Sequence, residues 1–400
     1  MSQLYGMPNA VEFCKRCVVS SCRPSSVPEL KHQLSDQKPF IRFVEGVCEA
    51  CRVAEKKKST DWVERDRELR DICDRYRKND GSYDCLISTS SGKDSMMQAH
   101  LLRHRYKMNP VTVTWAPQLY TDVGYRNHAR LRDAGFDNYT MYQNRRVHRL
   151  LTRVSLETLL HPFAVFIVGQ KNYAPKMAAL LNIPLVWYGE GESEYGNDAS
   201  EHEKAERDWK YFTQKDSDVF LGGVSREELA KRYDIKPHDF AQYMPAKPDD
   251  LRRVGMTVKY LGHYIKWDPQ SAFYYATENC GFECRDTGRS DGTYSKYNSI
   301  DCKIDDLHWW CYHVKFGIGR CTHDAAQEIR GGHITREEGC ALVKRFDGEW
   351  CKTYDKDILE YVNVPEFPEL TKDSLFDLSD KFRSPNLWRG RELIHKVWES

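Results

Sequence analysis

Long apolar runs are missing from this 400-residue chain; no stretch of 18 apolar residues occurs, and the longest, such as 163–168, are strand-sized. A membrane-spanning helix is therefore not expected. The opening MSQLYGMPNAVEFCKRC lacks the apolar core of a signal peptide, so the expectation is a soluble cytoplasmic protein. Charge imbalance is missing too. Lys plus Arg number 60 and Asp plus Glu 59, a net +1 that argues against a chain gripping its partner mainly through phosphate-backbone contacts. Glycine (24) and proline (16) are too sparse for a disordered or fibrous chain, and 40% hydrophobic residues supply real cores. The length allows two or three domains.

Cysteine is plentiful. Fourteen residues without secretory context read as metal ligands or thiols rather than a disulfide framework. Cys14-Lys-Arg-Cys17 and Cys48-Glu-Ala-Cys51, separated by 30 residues, have the two-knuckle spacing of a four-cysteine zinc ribbon. Filling all four positions with cysteine leaves no open site for catalytic water, so the expected zinc is structural, with Cys22 as a spare. Cys73, Cys85, Cys302, Cys311, Cys340 and Cys351 sit singly and read as small buried residues. The pair Cys280 and Cys284 carries no expected role.

Texture divides the chain into a ribbon over 1–60, a nucleotide-binding α/β domain over 61–250 and a mainly helical substrate or partner region over 251–400. Residues 61–78 are charged and helix-like. Strands are expected at 83–89, 111–115, 139–141, 163–168 and 183–188, separated by helical segments at 94–106, 124–134, 147–160 and 174–181. That alternation predicts a doubly wound parallel sheet. Beyond it, 201–218 reads as a polar helix and 225–233 as a short one, while Thr335-Arg-Glu-Glu338 is a capping box opening an apolar-periodic run closed by Asp347-Gly348.

The chemical signal lies in Ser88-Thr-Ser-Ser-Gly-Lys-Asp-Ser95, between a buried strand and a helix start. A tight small-residue turn there aims successive N–H groups and a helix N-terminus at one point, which suits a phosphate or pyrophosphate. Ser90, Ser91 and Ser95 add hydroxyls, Lys93 a charge, and Asp94 a Mg²⁺ ligand or a helix cap. A Walker A loop is excluded, because neither its first glycine nor its Lys-Ser adjacency is present. Ligands of such sheets lie at the strands' C-terminal ends, so adenine is expected near Thr114, with Gly169 at the end of the strand expected at 163–168 contributing to the ATP site. The loop 189–197 brings Glu190, Glu192 and Tyr195 to the same side.

The segment Ser90-Ser91-Gly92-Lys93-Asp94-Ser95 resembles the S-G-G-x-D-S loop of the PP-loop ATP pyrophosphatases, with Ser91 where that family usually has glycine. Taken with the cysteine knuckles, Tyr260-Leu-Gly-His-Tyr-Ile-Lys-Trp-Asp268 and the stretch Lys315-Phe-Gly-Ile-Gly-Arg320 through Thr335-Arg-Glu-Glu338, the chain from about Cys14 to Asp347 resembles the N-acetyl sugar amidotransferases of bacterial surface-glycan and pseudaminic-acid assembly. Gly191 stands where that family tends to carry asparagine. The resemblance implies ATP, Mg²⁺ and structural Zn²⁺ as cofactors, Lys93 and Asp94 as catalytic residues, and Ser90–Ser95 holding pyrophosphate. It implies Glu190, Glu192 and Tyr195 facing an N-acetyl sugar, with Lys266, Lys315 and Arg320 available for its carboxylate. No glutaminase constellation is visible, and the resemblance implies ammonia from a separate glutaminase subunit, with free ammonia or another donor as alternatives. Two rival readings are a PP-loop tRNA thiolase and a non-catalytic zinc-ribbon interaction protein.

Overall fold

A computed structural model describes residues 4–25, 39–189, 191–197, 204–213 and 219–400. The ribbon begins with a hairpin, β1 (Phe43–Val44) and β2 (Val47–Cys48). Its two-residue turn, Glu45 at φ 54° and Gly46 at φ 78°, has both φ positive, as a hairpin turn matching strand twist demands. Helices α1 (Glu49–Lys57) and α2 (Trp62–Tyr76) follow; Asp61 caps α2 by accepting from the amides of Val63 and Glu64.

The chain then builds one six-stranded sheet from β3 (Cys85–Ser88), β4 (Pro110–Trp115), β5 (Asn138–Met141), β6 (Leu185–Tyr188), β7 (Glu206–Arg207) and β8 (Thr257–Tyr260). The strand order is β5-β4-β3-β6-β8-β7, with every pairing parallel except β7 against β8. All six β4 residues are buried, as expected for a strand covered on both faces. Helices α3 (Lys93–His100), α4 (Asp122–Asp133), α5 (Arg145–Leu159) and α6 (Ala164–Leu181) form the crossovers. Strand β8, which pairs with β6, comes from beyond residue 250.

Two expectations fail here. Residues 163–168 are not a strand but open the 18-residue helix α6, which runs through 174–181 and contains Pro175. Helix α6 is buried nearly all round, so its apolar run carries no period, and a short apolar run alone does not separate strand from helix. Within 201–218, the described residues 204–213 hold β7 and a short 3₁₀ turn, Trp209–Phe212, in place of a helix; 201–203 and 214–218 lie outside the described residues.

Gly169, expected at a strand end, sits inside α6. A Cβ there would lie 2.1 Å from Cε2 of the buried Trp115 indole. Alanine would gain up to about 1 kcal/mol in helix propensity, while forcing the indole aside costs about 3 kcal/mol. The clash wins, and Gly169→Ala is expected to lower the urea midpoint; an unchanged midpoint would show that the indole moves freely.

Past the sheet, α7 (Pro269–Cys280) lies along α3, and α8 (Lys303–Phe316), α9 (Arg320–Gly331) and α10 (Arg336–Phe346) follow. The capping box is present as expected: the Thr335 hydroxyl accepts from Glu338 N, and Glu338 Oε2 accepts from Thr335 N. Cys280 is buried against the sheet core, with Sγ 3.7 Å from Met96 O. The four knuckle cysteines share a core with Cys321, Ala325, Val343 and Val397, so the ribbon packs on α9, α10 and the end of the chain. No helix among the described residues is long and apolar enough to cross a membrane.

Candidate functional site

Strand β3 pairs with β4 on one side and β6 on the other, so the order of crossovers reverses there, and the crevice beyond its C-terminal end is where such sheets bind ligands. The loop Thr89–Gly92 fills that crevice and feeds straight into α3. Ser91 adopts φ 65°, so the turn does require the left-handed region that glycine enters freely. Bonding offsets its strain of about 1 kcal/mol. Ser91 N donates to Thr89 Oγ1 at 2.8 Å, Thr89 Oγ1 donates to Ser95 Oγ at 2.7 Å, and Ser95 Oγ donates to Gly92 O at 3.1 Å. Ser91 Oγ meets His128 Nδ1 at 3.0 Å, and His128 Nε2 meets Thr140 Oγ1 at 3.1 Å, which ties the loop to β5. Burial pushes the His128 imidazole below its ordinary range, which keeps it neutral in this relay.

Lys93 is buried, with Nζ donating to Asp94 Oδ2 at 2.6 Å and standing 5.5 Å from the Tyr297 ring centre. Trp267 Nε1 donates to Asp94 Oδ1 at 2.9 Å. The carboxylate is thus aimed before any ligand arrives.

Two cavities meet at this loop, sharing Ser90, Gly92, Asp94 and Tyr195. The larger, about 580 Å³, runs along the ends of β3, β6 and β8 and is walled by Tyr188, Tyr211, Phe212 and Tyr260, with Lys171 and Gln170 from α6. Gln98 lines it with a buried Oε1 that has no hydrogen-bond partner among the described residues, while its Nε2 donates to Tyr188 O at 2.8 Å. The smaller, about 220 Å³, is polar and is walled by Asn127, Asn298, Asp301, Arg320, His323 and Gln327. Tyr195 stacks on His323 with ring centres 5.1 Å apart, and the Arg320 guanidinium lies 4.9 Å over Trp309 while pairing with Asp324 at 3.0 Å. Burial first, then Arg320, Arg23, Arg330 and Lys93, push His323 well below its usual range. Of these cations, Lys93 and Arg320 line the cavity, which suits this wall to an anionic ligand.

The structure therefore gathers Ser90, Ser91, Gly92, Lys93, Asp94, Ser95, Tyr195 and Arg320 at one place. It leaves others apart. Thr114 is fully buried in β4 and accepts from Asn138 Nδ2 at 2.9 Å. Lys315 is buried with Nζ on Leu159 O at 3.0 Å, and Lys266 is exposed and lines neither cavity. Glu190 and the Glu192 side chain lie outside the described residues. Trp267, Tyr297, Asp301 and His323 escaped the sequence reading. Trp267 had a signal, since it sits in an aromatic-rich run just after a strand; the others reach the loop only through tertiary folding.

Away from the cavities, Cys14, Cys17, Cys48 and Cys51 are all buried, with their sulfurs within 4.8 Å of one another. Cys14–Cys51 is 3.9 Å and Cys17–Cys48 is 3.7 Å. Thiolates about 2.3 Å from a tetrahedral zinc stand about 3.8 Å from each other, so these residues fit that ion. Amides of Arg16 and Cys48 donate to Cys14 Sγ at 3.4 Å, as they would to a thiolate.

No curated protein matches the chain. Residues 291–399, about a quarter of its length and the part that supplies Asp301, Arg320 and His323, match the family model described as LPS biosynthesis protein WbpG-like, C-terminal domain; this part of the chain is similar to proteins of lipopolysaccharide biosynthesis.

Proposed function

We propose that this chain is an ATP-dependent amidotransferase of the PP-loop class that converts the acetamido group of an N-acetyl sugar into an acetamidino group. The observation that carries the reading is the serine-rich loop at the sheet's switch point, with two cavities opening onto it. The likeness of its C-terminal part to lipopolysaccharide biosynthesis proteins supports a sugar as the acceptor.

An acetamide carbon is a poor electrophile with a poor leaving group. Attack of its oxygen on the α-phosphorus of ATP forms the O–P bond, expels pyrophosphate and leaves an O-adenyl imidate. Ammonia adds to the imidate carbon, the C–O bond to AMP breaks, and the amidine remains. The chain supplies positioning and charge. Lys93, the Ser90–Ser95 loop and the α3 N-terminus hold the pyrophosphate, and Asp94, aimed by Lys93 and Trp267, is placed to hold its Mg²⁺. Nucleotide and sugar share the aromatic-walled cavity. Arg320, which lines the polar cavity, takes a sugar carboxylate in preference to Lys315, whose Nζ is spent on Leu159 O. Tyr195, Glu190 and Glu192 contact sugar hydroxyls. Ammonia comes from a glutaminase partner or from solution.

The test is mass spectrometry of N-acetyl sugar acids incubated with the protein, ATP, Mg²⁺ and ammonium. A product lighter by the difference between an oxygen atom and an NH group, formed with AMP, is expected. AMP formation driven by a thiolatable RNA instead of a sugar would replace this reading with the thiolase one.

A further inference from the structure

Asp94 and Asp301 are the two carboxylates lining the smaller cavity among the described residues, and they are held in opposite ways. Asp94 has both oxygens engaged, by Lys93 and Trp267. Asp301 is fixed at its backbone and open at its end. Its carbonyl accepts from Thr121 N at 3.1 Å, and its Cα and carbonyl press on Gly124, where a Cβ would come within 2.6 Å. Thr121 Oγ1 donates to the neighbouring Ile300 O. No side chain among the described residues donates to the Asp301 carboxylate, which shares a cavity with Ser91 and Gly92 of the loop.

The amidotransferase reading needs a group of that kind, and this inference rests on it. When the acetamido oxygen attacks phosphorus, the amide nitrogen must lose its proton to become the imidate. When ammonia adds, that nitrogen must regain a proton and the incoming nitrogen must lose one before AMP leaves. We propose that Asp301 is the proton-transfer residue of this site. It takes the amide proton as the O–P bond forms and returns it to the same nitrogen as ammonia adds. It then takes one proton from the new ammonium group, so that the C–O bond breaks with its electron pair on AMP. The amidinium product keeps three N–H protons, and the remaining one leaves Asp301 for solvent.

The surroundings suit the task. Burial first, and then the Asp305 charge, lift the Asp301 carboxyl to about 6, against its own backbone N–H, Arg320 and Arg285, which all act to lower it. Also facing it are Lys93 and Asp94 on the loop and His323 on α9, the last held neutral by burial and its cationic neighbours. A base must be ionised to work, so kcat/KM is expected to fall as pH drops through about 6.

Asp301→Asn keeps the shape and removes the proton acceptor. Amidine formation should fall about 10³-fold, the acidic limb near pH 6 should vanish from the residual rate, and ATP affinity and zinc content should stay as in the native chain. Asp301→Glu should recover part of the rate with its acidic limb. Native-like turnover in Asp301→Asn, or a loss matched by an equal loss of ATP affinity, would overturn the assignment. A native chain that forms no amidine from any N-acetyl sugar overturns the functional reading itself, a distinct result.

Discussion

Asp94→Ala should lower sugar-dependent pyrophosphate release by about 10³-fold, the scale seen when one preorganised electrostatic contact to a reacting group is removed. The physical case is local. Asp94 opens α3, and its two oxygens are aimed by Lys93 Nζ at 2.6 Å and Trp267 Nε1 at 2.9 Å. On the proposed reading, truncation removes the carboxylate that would hold Mg²⁺ and releases Lys93, whose ammonium would no longer be fixed beside the bound phosphates. Helix α3 should survive, because Gly92 and not Asp94 occupies the N-cap. Pyrophosphate release in a real-time coupled assay, with circular dichroism confirming the fold, decides the matter. Retention of more than a tenth of the native rate would remove Asp94 from the machinery.

Removal of zinc is expected to have the larger structural effect. Binding free energies of about 10–16 kcal/mol for four-thiolate sites match or exceed the whole stability of a typical domain, about 5–15 kcal/mol. Here the cysteines are also the centre of an apolar core with Cys321, Val343 and Val397. The ribbon reaches the candidate site as well. Lys57 pairs with Glu194, Arg330 Nη2 donates to Glu194 O at 3.2 Å, and the turn they hold carries Tyr195. Cys14→Ser, or a strong chelator, should therefore lower the melting temperature by more than about 10 °C and weaken sugar binding more than nucleotide binding. Elemental analysis should give one zinc per chain. A metal-free chain with an unchanged melt would reduce the cluster to four ordinary buried thiols.

The strand–turn–helix around Ser90–Ser95 was legible because its parts are contiguous, and contiguous signals survive in a sequence. The knuckle spacing and the Thr335–Glu338 box were legible for the same reason. Helix α6 was not, since burial on most of its faces erased the amphipathic period that marks a helix. Nor was the polar cavity. Tyr195 and His323 lie more than a hundred positions apart yet stack at 5.1 Å, and Asp301 shares a cavity with Ser91 because its segment is pinned to the start of α4. Nothing local in 299–301 announces a catalytic group.

The union of the ribbon with the far end of the chain bears on how the protein is made. Arg336 reaches the carbonyl oxygens of Cys14 and Cys17 at 3.3 Å, and Val397 completes the cysteine core. The knuckles are translated long before their packing partners Cys321, Val343 and Val397. Until those partners emerge, the ribbon is a half-built core, and it closes only when segments hundreds of residues apart come together.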